Sequence, residues 1–307
     1  MVDRLMRFEV DRAGMRLDRF LADHADGLTR TRLQRLIKEG RATVDGIVAR
    51  SSLRLEPGQL VSLDLPEAAP VQLVAEDIFV PVIYEDSKIV VVDKPAGMVV
   101  HPGHGVASGT LVNAMLARYP EMQAFEDSLR PGVVHRLDKG TSGLMVVAKT
   151  PEAQHHLQRQ FADHTVRKSY LALAHGSLQP ERGLIKAAIG RSRKNPTQMA
   201  ISGRAERSAR TAYIVLERFR GYSLVEAQPI TGRTHQIRLH FSALGHSLVG
   251  DPTYGTGGET LGLTRQFLHS HKLRLVLPLT GEEREFQSEL PADLQAALTQ
   301  LRTLSAH

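Results

Sequence analysis

Apolar residues recur at helical spacing close to the N-terminus, where Leu17, Phe20 and Leu21 fall at i, i+3 and i+4 and predict one buried stripe. A second helix follows: Thr29 is placed to cap it, Leu33, Leu36 and Ile37 form its apolar face, and Gly40 closes it. Arg30, Arg32 and Arg35 fall largely on the opposite side, so the outward face of this helix is basic. Ala42-Thr43-Val44 and Ile47-Val48 flank the pair Asp45-Gly46, which predicts a short hairpin. Further on, residues 88–101 carry two β-branched runs separated by Pro95-Ala96-Gly97 and predict two strands. Residues 131–149 read as strand (Val133-Val134), charged loop and strand (Leu144 to Ala148). A third such passage joins strand-like Tyr222–Ala227 to the turn Thr231-Gly232-Arg233-Thr234. The following helix has Thr234 as N-cap and Ile237, Phe241 and Leu244 as its stripe.

With 307 residues, a chain of this patterning has room for one large domain and one small one. Between Asp64 and Asp86 lie six acids, no Lys or Arg, and Pro66, Pro70 and Pro81. That reads as an acidic linker or as a solvated surface strand. The linker reading divides the chain into a module over 1–63, a connector over 64–86 and a remainder over 87–307. The formal charge is +6. It is not evenly spread: residues 159–220 hold thirteen Lys or Arg against four acids, a net +9. A localised basic surface suits a polyanionic partner.

The chain contains no cysteine, which excludes disulfides, thiol catalysis and cysteine-held metal. No apolar run approaches a membrane helix and the first residues lack the apolar core of a signal peptide, so a cytoplasmic location is expected. His155-His156 and His101-Pro102-Gly103-His104 lack the further ligands of a metal site, and no phosphate-binding glycine loop or dinucleotide fingerprint is present. No metal or cofactor is expected. The chemistry-bearing segment is His135-Arg136-Leu137-Asp138-Lys139, where a carboxylate among cations is favoured in its ionised form. Two readings stand for it: a structural ion-pair loop, or a reactive Asp138. Arg233, in a tight turn before a helix, could clamp a carboxylate or a phosphate, or merely decorate the cap.

Five segments occurring in order resolve those alternatives by resemblance. Asp93-Lys94-Pro95-Ala96-Gly97, residues 135–144, Lys168-Ser169-Tyr170-Leu171-Ala172-Leu173, residues 231–238 and Gly250-Asp251-Pro252-Thr253-Tyr254-Gly255 together resemble the RluA-type pseudouridine synthases of large-subunit ribosomal RNA. The helix, helix, hairpin order near the N-terminus resembles an S4 RNA-binding domain. The resemblance implies an α+β fold, with a mixed, mainly antiparallel sheet, flanking helices and a small S4-like module. It implies cofactor-free isomerisation of uridine in 23S ribosomal RNA, expected at the subunit-bridge stem-loop; monomeric action with no obligate protein partner is the simpler expectation. It further implies that Asp138 starts the reaction, Tyr170 meets the base, Arg233 pairs with Asp138, and Arg136 fills the gap left by the extruded uridine. The Asp-Pro-Thr-Tyr-Gly segment is taken as a turn. A second reading keeps the fold and the RNA but not the catalysis, as a ribosome-assembly factor. Arg30, Arg32 and Arg35 are taken as phosphate contacts, the alternative being a merely solvated basic face.

Overall fold

The computed structural model describes residues 4–25, 28, 30–65, 73–103, 106–125, 130–193, 195 and 198–305. The chain divides into two compact units, residues 1–71 and 72–307.

In the first unit, strand β1 (Arg4–Glu9) precedes helices α1 (Leu17–His24) and α2 (Arg30–Lys38), then strands β2 (Ala42–Val44), β3 (Ile47–Val48) and β4 (Leu60–Leu65). The strands form an antiparallel sheet in the order β1-β4-β2-β3. Leu17, Phe20 and Leu21 are buried against Leu33, Leu36 and Ile37, as the spacing predicts. Helix α2 ends where Arg41 donates its amide to the Leu36 carbonyl and Gly40 turns left-handed. Asp45 and Gly46 both take positive φ, the geometry of the twisted two-residue hairpin. Thr29, the expected cap, lies outside the described residues, as do the side chains of Arg30 and Arg32.

The second unit is built on strands β5 (Val82–Glu85), β6 (Ile89–Lys94), β7 (Ser142–Ala148), β8 (Arg167–His175), β9 (Arg182–Lys186), β10 (Ile189–Arg191), β11 (Met199–Ile201), β12 (Arg204–Arg207), β13 (Arg210–Phe219), β14 (Tyr222–Pro229), β15 (Leu268–Val276) and β16 (Glu283–Gln287). Helices α3 (Leu111–Arg118), α4 (Pro151–Ala162), α5 (Gln236–Ala243) and α6 (Ala292–Ser305) flank them. The main sheet runs β5-β6-β7-β15-β8-β14-β13-β9, with β16 beside β15; β10, β11 and β12 form a small separate sheet. Every pairing in the main sheet is antiparallel except β7 with β15. It is a mixed, mainly antiparallel sheet between helices, an α+β fold.

Strands β6 and β7 are apolar on both faces because both are covered. Val90, Val92, Met145 and Val147 pack with Leu111 and Met115 of α3 and Ile237 and Phe241 of α5. The alternate residues Ile89, Val91, Leu144 and Val146 pack with Ala153 and Leu157 of α4. Leu173 and Leu224 meet Leu294, Leu298 and Leu301 of α6.

Three expectations are corrected. The second run in 88–101 is not a strand: after Pro95-Ala96-Gly97 the backbone amides of Leu111 and Val112 bond the carbonyls of Val99 and Val100, so α3 takes the partners a strand would need. Val133-Val134 contributes one bridge, Val133 to Val147, and no strand. The acidic stretch is not a free connector throughout. Asp64 lies in β4 and pairs with Arg41 at 2.6 Å, Asn113 donates to the Val74 carbonyl, Glu76 accepts from the Gly109 amide, and Val80 is buried. Residues 73–81 thus strap the sheet's edge to α3. Among the described residues, no helix is long and apolar enough to cross a membrane.

Lys94, Gly143, Ser270, Tyr170 and Ala227 form one row across the sheet through successive pairings. Gly143 is where β7 and β15 come together: its φ is +111°, and a Cβ there would lie 2.3 Å from the Ser270 carbonyl oxygen. Gly143→Ala is expected to lower the unfolding free energy by more than about 2 kcal/mol, through strain and weakened parallel pairing. Denaturant titration followed by circular dichroism measures this, and a variant as stable as the parent would contradict it.

Candidate active site

The charged loop between Leu137 and Gly143 lies at one end of that row and is fixed from several sides. The Gly97 amide donates to the Lys139 carbonyl, Thr141 N to the Asp138 carbonyl, and Arg265 to the Gly140 carbonyl. Gln266 donates to the Thr141 hydroxyl. Beneath it Lys94 is fully buried, with its ammonium donating to the carbonyls of Pro95 and Met98. Burial pushes the Lys94 pKa down to about 7, although the charges of Asp138 and Asp93 oppose the fall.

The loop borders a cavity of about 590 Å³ into which Arg136, Asp138, Tyr170 and Arg233 all face. The structure therefore brings together the four residues singled out in this unit. The pairing expected among them is different, however. Asp138 Oδ2 accepts from Arg238 Nη1 at 3.2 Å, while Arg233 Nε donates to the Ser208 carbonyl. Arg238 is 5 % exposed and makes a two-pronged contact with Asp251, at 2.8 Å and 2.7 Å. Asp251 in turn accepts from the amides of Thr253 and Tyr254, and the Arg238 guanidinium lies over the Tyr254 ring. The Asp-Pro-Thr-Tyr segment is thus a turn and also the clamp for the site's arginine. Burial opposes both charges, but their mutual bonds prevail: Asp251 is held below the usual carboxylate range and Arg238 above its ordinary value.

The start of α5 explains which arginine is chosen. Thr234 is not the cap. Gln236 folds back so that its side-chain oxygen accepts from the Arg233 amide and the Thr231 hydroxyl, and its nitrogen donates to the Arg210 carbonyl. His235 occupies the cap position with φ +56°, and its Nδ1 is 2.8 Å from the Tyr254 hydroxyl. The helix is buried from Gln236 to Phe241, with Leu244 exposed where the stripe predicted burial, and Arg238 points inward. Its signal in the sequence was an acid, Asp251, in an ordered segment without a charge partner of its own.

His135 is not among the cations around Asp138. Burial and the Lys168 charge push its pKa down to about 3, its Nε2 accepts the Val146 amide, and its ring stacks on Phe161. Burial pushes the Tyr170 phenol up to about 12, with the Asp138 charge acting in the same direction, and lowers Lys168 to about 8. In the first unit, exposed Arg35 pairs with Glu39 one helical turn on. Among the described residues, no group of His, Asp and Glu could hold a metal ion.

A sequence profile described as RNA pseudouridylate synthase matches residues 88–243, and an S4 domain profile matches residues 15–61. The chain belongs to the RNA pseudouridylate synthase family. An uncharacterized RNA pseudouridine synthase of Chloroflexus aurantiacus is 48% identical over 95% of this chain and 92% of its own length. The ribosomal large subunit pseudouridine synthase D of Nitrosomonas europaea is 41% identical over 95% of this chain and 86% of that protein. Among solved structures, human RNA pseudouridylate synthase domain containing 1 superposes with a TM-score of 0.59 at 30% identity, covering 78% of this chain and 98% of that one. In this pseudouridine synthase the matched catalytic-family segment is thus preceded by an S4 domain.

Two tests probe the electrostatics of this pseudouridine synthase. Asp251→Asn leaves Arg238 buried without its strongest partner and is expected to cost about 3 kcal/mol of stability in denaturant titrations; no loss would show that the pair does not hold the site together. Lys94 binds its proton up to about 7 when folded, against an ordinary value of 10.5, so the unfolded chain holds more protons above pH 7. Stability is then expected to rise from pH 7 to 8 by up to about 1.4 kcal/mol. Lys94→Met should flatten that rise, and an unchanged slope would contradict the assignment.

Proposed function

We propose that this enzyme isomerises uridine to pseudouridine in large-subunit (23S) ribosomal RNA, acting as a monomer in the cytoplasm, with the subunit-bridge stem-loop as substrate. The carrying observation is that, among the described residues, Asp138 is the sole acid lining the catalytic cavity, facing five Lys or Arg side chains: Arg130, Arg136, Lys168, Arg233 and Arg238. A glycosidase would set a second carboxylate across the bond to activate water. A solitary carboxylate suits a reaction in which the detached base itself returns to the sugar. Relatives named ribosomal large subunit pseudouridine synthase D support the choice of RNA.

In this reading Asp138 starts cleavage of the bond between N1 and C1′, either by attack on the sugar or by taking a proton from it. The base turns within the cavity and rejoins through C5, losing the C5 proton and gaining one at N1. Arg238 keeps the Asp138 carboxylate oriented. Tyr170, whose phenol burial keeps protonated at neutral pH, meets the base with its ring and hydroxyl. Arg136, exposed at the cavity's edge, enters the space the uridine leaves in its stack and offsets part of that cost. Arg30, Arg32 and Arg35 of α2 meet phosphates.

The parent chain is expected to release tritium from 5-tritiated uridine in large-subunit ribosomal RNA. Asp138→Asn should lose at least about a hundredfold in rate while still binding the RNA. Full turnover by that variant would remove Asp138 from the role. A map of pseudouridines in ribosomal RNA from cells with and without the gene identifies the uridine.

A further inference from the structure

Beside the catalytic cavity lies a second one, of about 480 Å³, lined by Arg191, Arg193, Arg204, Arg207 and Arg233 and, among the described residues, by no acid. Gly232, Arg233 and Thr234 line both cavities and form their common wall.

The small sheet is shaped to gather these guanidiniums. Successive residues of a strand face opposite ways, so Arg204 and Arg207 would ordinarily diverge. Ala205, in the left-handed region at φ +49°, breaks the alternation where β10 and β12 shift register. Arg204 and Arg207 then both reach the cavity while Glu206 does not. Gly190 and Gly203 let the backbones cross closely: a Cβ on Gly190 would lie 2.4 Å from the Arg204 carbonyl oxygen, and one on Gly203 2.5 Å from that of Arg191. Ile189, Met199 and Ile201 pack on Leu239 of α5, so the helix that presents Arg238 to Asp138 also anchors this sheet. Among the described residues, Arg193, Arg204 and Arg207 make no salt bridge. Like charges crowded into one cavity repel one another, and a bound polyanion relieves that repulsion.

We propose that this cavity is a phosphodiester subsite, which holds the RNA backbone adjoining the nucleotide whose base enters the catalytic cavity. The proposal rests on the RNA-isomerase reading above. A nucleotide delivered to the first cavity remains joined to its neighbours, so its backbone must leave across a wall, and the shared wall is cationic. Planar guanidiniums match phosphate oxygens two at a time. Arg233, which does not pair with Asp138, stands on that wall as the phosphate contact nearest the reacting sugar.

The test uses the full chain carrying Asp138→Asn, so that binding is read without turnover, with a large-subunit ribosomal RNA transcript as the probe. Dissociation constants are measured between about 50 and about 200 mM salt. Adding Arg204→Ala and Arg207→Ala is expected to weaken binding about tenfold and to reduce the log–log salt slope by about 0.7 for each phosphate left without its cation. Arg204→Lys with Arg207→Lys keeps the charge and should keep the slope, and Arg302→Ala, on α6 and outside both cavities, should change neither quantity. An unchanged slope in the double alanine variant overturns the subsite, even if affinity falls. Competition by a polyglutamate peptide that matches an oligonucleotide of equal charge, and is abolished in the same variant, assigns the cavity to an acidic protein and also overturns it. The two readings fail separately. Without tritium release from the parent but with the slope difference, the isomerase reading falls and an RNA site remains; with release but no slope difference, only the subsite falls.

Discussion

Arg238 stands between two carboxylates, Asp251 behind it and Asp138 in front, in surroundings where an unpaired charge of either sign would cost several kcal/mol. One partner makes two short bonds to it and is itself held by two backbone amides, so the guanidinium is charged and oriented before any substrate arrives. The other makes one longer contact and keeps an oxygen turned toward the cavity, 3.8 Å from His235. This asymmetry separates structure from chemistry. Asp251 satisfies the buried cation, and Asp138 is steadied by it without being used up by it.

Much of the rest of the second unit serves to keep that arrangement in place. Gln236 sets where α5 begins and therefore which way Arg238 points. Gly97, Gln266 and Arg265 tie down the loop bearing Asp138, and Lys94 fills the space beneath it. Two of the surrounding groups are held neutral: burial pushes His135 down to about 3 and Tyr170 up to about 12. What remains at the cavity is a carboxylate among five Lys or Arg side chains, a cationic field that attracts a polyanion.

Elements whose character is local were legible in the sequence. The stripes of α1 and α2, the Asp45-Gly46 hairpin and the loop of Asp138 all follow from spacing over a few residues, and the ordered motifs supplied the family and the fold. The choice between Arg233 and Arg238 was not legible. It depends on a glutamine capping its own helix and on an aspartate thirteen residues further along, neither of which periodicity reports. Helix α5 is buried on almost every side, so an amphipathic reading assigns its faces poorly. The same limit hid the fate of residues 98–100 and 73–81, which lack strand pairing because another segment takes their polar groups.

Strand β15 lies between β7 and β8 in the sheet, yet it follows both by a long stretch of chain. During synthesis from the N-terminus, the halves of the site on either side of it have no partner to join them until residues 268–276 have emerged. The S4 unit is complete long before then. The strand that joins the two sides of the sheet is thus made after both of the strands it joins.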